Sequence, residues 1–276
     1  MLERGLVKSF VLSLGLLVLP GLAAAAAGKC ERLVATGNPE YPPYLWRDPQ
    51  NPQQLIGANA DLLKHLAKEL GLVIDVLDSG AWPQPLEEVR SGRIDLLAGA
   101  VLNASQLDAM DYVHPVPYVT PSVVWVRRDA AFPYAGWEDL RERTGETLAS
   151  NSFGPQFDAY AKSELTLERV SSLTQALQKL LLGRTDYVLH ERYPGQALAD
   201  TLEMQDDLLA LEPAVSSEGL YLALSHNSAC NEPKLRGGLA KKMLEAVAAG
   251  LPEVLLQRNL QLWKEQQLIP ASDVIQ

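Results

Sequence analysis

A six-residue pattern occurs twice in this chain, as Gly92-Arg93-Ile94-Asp95-Leu96-Leu97 and again as Gly183-Arg184-Thr185-Asp186-Tyr187-Val188. Each copy follows a helix-like run and opens an apolar strand. Before the first, Leu86 and Val89 interrupt Glu87, Glu88 and Arg90 as in an amphipathic turn. Before the second, Leu173, Ala176, Leu177, Leu180 and Leu181 recur at helical spacing. Glycine stops each helix because its missing Cβ permits the left-handed conformation at the residue after the cap. The aspartate is expected to open a tight turn. The apolar runs Leu96 to Val101 and Tyr187 to Leu189 then read as buried parallel strands. A helix–turn–strand unit built twice implies two α/β lobes, and sheets of this class bind ligands in a crevice at the carboxyl ends of their strands.

Residues 1–27 stand apart. Arg4 and Lys8 form a positive start, Phe10 to Leu19 an apolar core, and Pro20 to Ala27 a small-residue exit, which together read as a cleavable secretory signal peptide. Loss of Glu3, Arg4 and Lys8 with this segment moves the formal net charge from −10 to about −11. Such a charge excludes nucleic acid as a natural partner and favours a soluble monomer. No later run is apolar enough to span a membrane.

Two cysteines remain, Cys30 and Cys230. In an oxidising compartment a disulfide between them is expected, which would place both in one lobe. The alternatives are a lipid-anchored Cys30, although Lys29 stands where that signal needs a small residue, and two free thiols.

Along the rest of the chain, strands alternate with helices, as in a mostly parallel α/β sheet. Arg32 to Thr36 reads as a strand and Gly37 to Pro43 as a loop. Asn59 or Asp61 is expected to cap a helix whose face is Leu62, Leu63, Leu66 and Leu70, with Gly71 ending it. Leu72 to Leu77 is a strand, Trp82 to Arg90 a helix, and Ser122 to Arg127 a strand leaving the lobe. Leu148 to Ser150 reads as a strand, Pro155 to Lys162 as a helix, and Gly219 to Leu224 as the returning strand. Two helices follow, Leu235 to Gly250 and Pro252 to Gln266. The expected division is a first lobe of residues 28–118 and 216–276, a second of 119–215, and a hinge of two crossings.

At this point the order of motifs matters more than any one of them. Tyr41-Pro42-Pro43-Tyr44, then Gly57 and Asp61, Ser91-Gly92-Arg93-Ile94-Asp95, and Met110-Asp111-Tyr112-Val113-His114-Pro115 resemble the bacterial extracellular solute-binding proteins of family 3. The resemblance extends through Trp263-Lys264. It implies a type II periplasmic binding fold, a periplasmic location, a small solute as ligand and an ABC permease as partner. A membrane signalling receptor is the alternative partner.

The family's ligand residues carry over unevenly. Members usually read G-M-T-I-T-P-E-R where this chain has Gly99-Ala100-Val101-Leu102-Asn103-Ala104-Ser105-Gln106. Gln106 therefore stands in place of the arginine that grips an α-carboxylate, and an amide supplies neither the charge nor the paired donors. Val101 replaces a hydroxyl residue; Asn103 keeps hydrogen-bonding capacity. In the second lobe the family acid that meets the ligand's ammonium corresponds to Glu191, with His190 beside it. Ser152, before Pro155, marks a helix start that offers backbone N–H groups to a polar ligand atom. Phe153, Tyr41, Tyr44 and Trp46 are candidates to sandwich an apolar part of the solute, and Tyr41 and Tyr44 suit core packing less well than Trp137 or Trp263. The expected ligand is a small polar solute, amine- or hydroxyl-bearing, met by neutral groups in the first lobe and by a carboxylate in the second. A decayed site, in which Gln106 is only a surface residue, is the competing reading.

Enzyme readings have less to stand on. No Gly-x-Ser-x-Gly elbow, His-Glu-x-x-His, P-loop or Cys-x-x-Cys occurs, and His65, His114, His190 and His226 lack metal-ligand spacing. No cofactor is implied. Some periplasmic dehydratases acting on cyclohexadienyl acids share this scaffold, and Glu191 with His114 are the acid and base such chemistry would need. Loss of the carboxylate-binding arginine argues against acidic substrates.

Overall fold

The computed structural model describes residues 30–268. The signal-peptide reading of residues 1–27 lies outside them. Among the described residues no helix is long and apolar enough to cross a membrane.

The duplicated pattern builds the same local structure twice. In the first copy, helix α2 (Gln84–Arg90) stops at Ser91, Gly92 turns left-handed at φ 78°, and strand β6 (Leu96–Val101) begins. In the second, helix α4 (Leu173–Leu181) stops at Leu182, Gly183 adopts φ 65°, and β10 (Tyr187–Glu191) begins. The aspartates do more than open a turn. Asp95 N donates to Val34 O at 3.0 Å while Val34 N donates to Asp95 Oδ2 at 2.8 Å. Asp186 N donates to Thr144 O at 2.8 Å while Thr144 N donates to Asp186 Oδ2 at 2.8 Å. Each carboxylate thereby joins its own strand to the start of a parallel neighbour, β1 (Arg32–Gly37) in one lobe and β8 (Thr144–Leu148) in the other.

Those pairs belong to one eight-stranded sheet, in the order β5-β1-β6-β11-β7-β10-β8-β9, with β5 at Val73–Val76 and β9 at Thr166–Val170. The three strands at each end run parallel. The centre is an antiparallel pair of 18-residue strands, β7 (Met110–Arg127) and β11 (Leu208–Ser225). These are the two crossings, and each is far longer than the six-residue strands expected from sequence. Their register breaks between Leu211 and Ser216 and again between Leu220 and Leu222. Bulges of this kind bend a strand and increase its twist, so the pair changes direction where one lobe passes into the other.

Each lobe has apolar layers on both faces of its part of the sheet. In the second lobe Val124, Val126, Tyr187 and Leu189 pack on Phe153 and Phe157, while Val123, Trp125 and Val188 pack on Leu177 and Leu180. That partition follows the period-two alternation of strands β7 and β10. In the first lobe Leu33, Leu96, Leu222 and Leu224 meet Leu63 and Leu66 of α1 (Ala58–Leu70), Leu239 and Met243 of α6 (Pro233–Ala248), and Leu256 of α7 (Leu251–Gln267). Leu97, Ala100 and Met110 turn the other way onto Val89. The Cys30–Cys230 disulfide, with Cα atoms 5.6 Å apart, ties the chain just before β1 to the segment before α6, both in the first lobe.

Several boundaries differ from the sequence reading. Helix α1 starts at Ala58 with Gly57 as N-cap; Asn59 is buried inside it, and Asp61 accepts from Asn259 Nδ2 at 2.8 Å on α7. Gly57 sits at φ 132°, and a Cβ there would meet Tyr44 O at 2.6 Å, so close backbone packing fixes the start of this helix. The helix expected from Trp82 begins at Gln84. Residues Ala149 and Ser150 fall outside β8, which ends at Leu148. Strand β9, helix α3 (Pro155–Glu164), helix α5 (Arg192–Thr201) and a small sheet of β2 (Glu40–Tyr41), β3 (Leu45–Arg47) and β4 (Leu55–Ile56) complete the fold.

Candidate functional site

The carboxyl ends of β1, β8 and β10 converge from the two lobes. A cavity of about 390 Å³ lies there, lined from the first lobe by Asn38, Tyr41 and Trp263 and from the second by Asn151, His190 and Glu191, among others. That volume falls in the range of small-molecule sites.

Tyr41 and Glu191 bridge the lobes directly: the Tyr41 hydroxyl donates to Glu191 Oε2. Strand register places Glu191 at the last position of β10, opposite Ser122 of the central strand. The following residue, Arg192, turns away and pairs with Glu212. Burial raises the Glu191 carboxyl to about 7; the Tyr41 hydroxyl opposes that rise and nearby Glu218 adds to it. Burial likewise pushes the Tyr41 phenol well above its ordinary value, reinforced by Glu191. Among the described residues no lysine or arginine lines the cavity. Its other carboxylate, Glu40, is held by Arg47 at 3.2 Å.

His190 is buried, and burial lowers its imidazole to about 4. It is therefore neutral near pH 7 and serves as a hydrogen-bonding group. Asn151 Nδ2 lies 3.4 Å from its Nδ1, and Arg169 donates to Asn151 O at 2.6 Å, fixing the turn that carries Asn151.

The remaining residues singled out from sequence are placed differently. Gln106 Oε1 accepts from Tyr112 Oη at 2.8 Å, in a loop whose short 3₁₀ turn is capped by Asn103; Asn103 Oδ1 accepts from Ser105 N at 2.9 Å. Neither side chain lines the cavity, and nor does Ser152, whose hydroxyl bonds Asp158. Asp158 also takes the Phe153 N–H at 3.0 Å, so the start of α3 satisfies part of its own donor set.

The aromatic sandwich is not assembled. Phe153, 4% exposed, packs edge-on against Phe157 in the second-lobe core. Trp46 is buried against Trp263, with its Nε1 donating to Gln266 Oε1 at 2.9 Å. Tyr44 is fully buried, stacked on Tyr41 and edge-on to Tyr118 and to Tyr193 of the second lobe. Aromatic area is most stabilising when removed from water, and the Pro-rich loop folds back onto the lobe rather than into the cleft. Only Tyr41 of the four reaches the cavity.

Sequence reasoning missed Asn38 and Trp263, and in the turn before Pro155 it chose Ser152 where Asn151 borders the cavity. Asn38 and Asn151 follow strand ends, where cleft residues of such sheets lie, and that position was the available signal. Trp263 had none, because its place depends on how α7 docks. Its Nε1 donates to Ala197 O and Thr201 Oγ1 of α5, both at 3.0 Å, so the C-terminal helix reaches across to the second lobe.

Comparison with known proteins gives a consistent answer. The sequence profile of the bacterial extracellular solute-binding proteins, family 3, matches residues 33–258. No curated protein matches the sequence. Among solved structures, a histidine kinase sensor domain similar to periplasmic binding proteins is 22% identical, with a TM-score of 0.61 over 83% of this chain and 96% of that one. The second substrate-binding domain of a putative amino acid ABC transporter from Streptococcus pneumoniae is 16% identical, with a TM-score of 0.66 over 83% and 99%. An amino acid ABC transporter substrate-binding protein from the same organism, bound to L-arginine, is 18% identical, with a TM-score of 0.59 over 84% and 96%. At these identities the likeness is one of fold.

Proposed function

This chain belongs to the bacterial extracellular solute-binding proteins, family 3, and from that premise we propose that it captures a small polar solute between its lobes, outside the cytoplasm, and delivers it to an ABC-type permease. Residues 28–118 and 216–276 form the first lobe in this reading and 119–215 the second. The observation that carries it is the cavity between them, bridged by Tyr41 and Glu191. A solute that replaces that bridge with contacts to both lobes holds them together, which is how hinged binding proteins couple occupancy to shape. The bulged central strands supply the bending points.

The site differs from an α-amino-acid receptor in its charge. Gln106 is engaged by Tyr112, and the lining includes the carboxylates of Glu40 and Glu191 but no lysine or arginine to meet an incoming carboxylate. The reading therefore favours solutes carrying amine or hydroxyl donors. A thermal-shift screen of amino acids, amines, sugars and aromatic metabolites tests it, since a ligand that binds only the folded state raises its melting temperature. Stabilisation by at least one donor-bearing class is expected; absence of any stabilisation overturns the reading. Strong stabilisation by several ordinary α-amino acids overturns the inference from Gln106.

A second reading, a sensor that docks on a membrane receptor, is favoured by the shared fold of the histidine kinase sensor domain. Capture by a permease or by a receptor kinase in a pull-down with the solute-loaded protein separates the two.

A further inference from the structure

We propose that this cavity selects an amphipathic amine, with a cationic head at Glu191 and an apolar, preferably aromatic, tail against Leu198 and Trp263. The proposal rests on the solute-binding reading above and names the substrate class of that site.

The lining changes character along helix α5. Glu191 is the N-cap of that helix, Pro194 stands within its first turn, and Leu198 lies two turns from the cap. At 1.5 Å rise per residue, Glu191 and Leu198 are separated by about 10 Å along the helix axis. Trp263 joins at the far end, because its indole N–H is bonded to Ala197 O and Thr201 Oγ1. With that donor occupied, the ring offers the cavity only its carbon framework. It is also held from behind, edge-on to Trp46 with centroids 5.5 Å apart, so the wall is formed before a solute arrives and costs little to order.

The start of α5 has the opposite chemistry. Glu191 is met by a phenol and neighbours Glu218, and Arg192, the nearest cation in sequence, is committed to Glu212. A half-buried carboxylate that the protein leaves without a cation is complemented by a cationic ligand. The Tyr41 ring beside Glu191 adds a face that favours a positive charge nearby. A solute carboxylate finds no such partner in this lining. The rest of the lining sets the neutral polar groups of Asn38, Asn151 and His190 beside apolar side chains.

Isothermal titration of the full mature chain near neutral pH with 2-phenylethylamine, ethylamine and 3-phenylpropionate tests this. The aryl amine should bind about tenfold or more tightly than ethylamine, the factor expected for burying a ring, and 3-phenylpropionate should not bind measurably. Leu198→Asn should narrow the gap between the two amines, and Glu191→Gln should remove the preference for amine over carboxylate. Equal binding of ethylamine and 2-phenylethylamine, or binding of 3-phenylpropionate as tight as that of the amine, overturns the proposal. If amino acids or sugars bind while 2-phenylethylamine does not, the proposal falls and the solute-binding reading stands. If no solute of any class binds, both fall.

Discussion

The two lobes repeat one construction and then part company at its last residues. Up to the middle of the strand, the Asp95 and Asp186 units are superimposable in kind: helix, left-handed glycine, carboxylate bonded to the amide of a parallel neighbour, buried apolar run. Beyond that, β6 ends in Val101, 41% exposed, and leads to a loop whose polar groups satisfy one another. Strand β10 ends in Glu191, half-buried in the cavity and joined across the cleft to Tyr41. The part that folding requires is held in common because each strand must hide its backbone and apolar side chains. The strand ends are free of that demand, and here they differ: of the two equivalent positions only Glu191 borders the cavity.

The largest expected effect tests whether the lobes are equally stable. Only the first has a disulfide among the described residues. Replacing Cys30 and Cys230 by serine should cost about 2–5 kcal/mol, seen by chemical denaturation. Hydrogen exchange should rise in β1 and α6 and leave β8 and β10 unchanged; equal loss of protection in both lobes would break the comparison.

A second test addresses the repeated aspartates. Asp95 also accepts from Ser228 Oγ at 2.6 Å and is less exposed than Asp186. Asp95→Ala should therefore cost about 1.5–3 kcal/mol and Asp186→Ala about 0.5–1.5 kcal/mol. Urea titrations of both variants give the order, and a larger loss for Asp186→Ala contradicts it.

The asymmetry of the cleft sets the third. For whichever solute the thermal screen identifies, Glu191→Ala should weaken binding by about 1.5–3 kcal/mol, whereas Gln106→Ala should change it by less than about 0.5 kcal/mol, since Gln106 is turned to Tyr112. Calorimetry in which Gln106→Ala costs more than Glu191→Ala reverses the assignment of the lobes.

The smallest effect is in pH dependence. A carboxyl raised to about 7 in the folded state contributes stability that is present below about 4.5 and lost as pH climbs through 7. His190, lowered to about 4, does the reverse: its contribution is present above about 6.5 and lost as pH falls toward 4. Between about 4.5 and 6.5 the two oppose each other, so the wild-type curve should be flat there. Melting temperatures of Glu191→Gln should instead rise with pH through that window. A variant curve as flat as wild type would show that Glu191 is not the compensating group.

How far the sequence carried the argument can be read from single residues. Gly92 and Gly183, the apolar face of α4, the two-lobe alternation and the Cys30–Cys230 pairing were all legible there. Each depends on local backbone sterics, on side-chain period or on a count of two. The acid at Glu191 was reached only through the family resemblance, which implies an acid five residues after Asp186. By contrast, Tyr44, Trp46 and Phe153 carry the same chemistry as Tyr41, and nothing in their local sequence says that three are buried and one faces the cavity. Tyr41 and Glu191 are 150 residues apart, and Trp263 meets Ala197 across 66. Their meeting is decided by the register and bulges of β7 and β11 and by the docking of α7 on α1 and α5. Helix stops and strand faces are set by interactions within a few residues, which the sequence by itself determines. A cavity is the space left between separately folded surfaces, and only the tertiary structure decides which side chains border it.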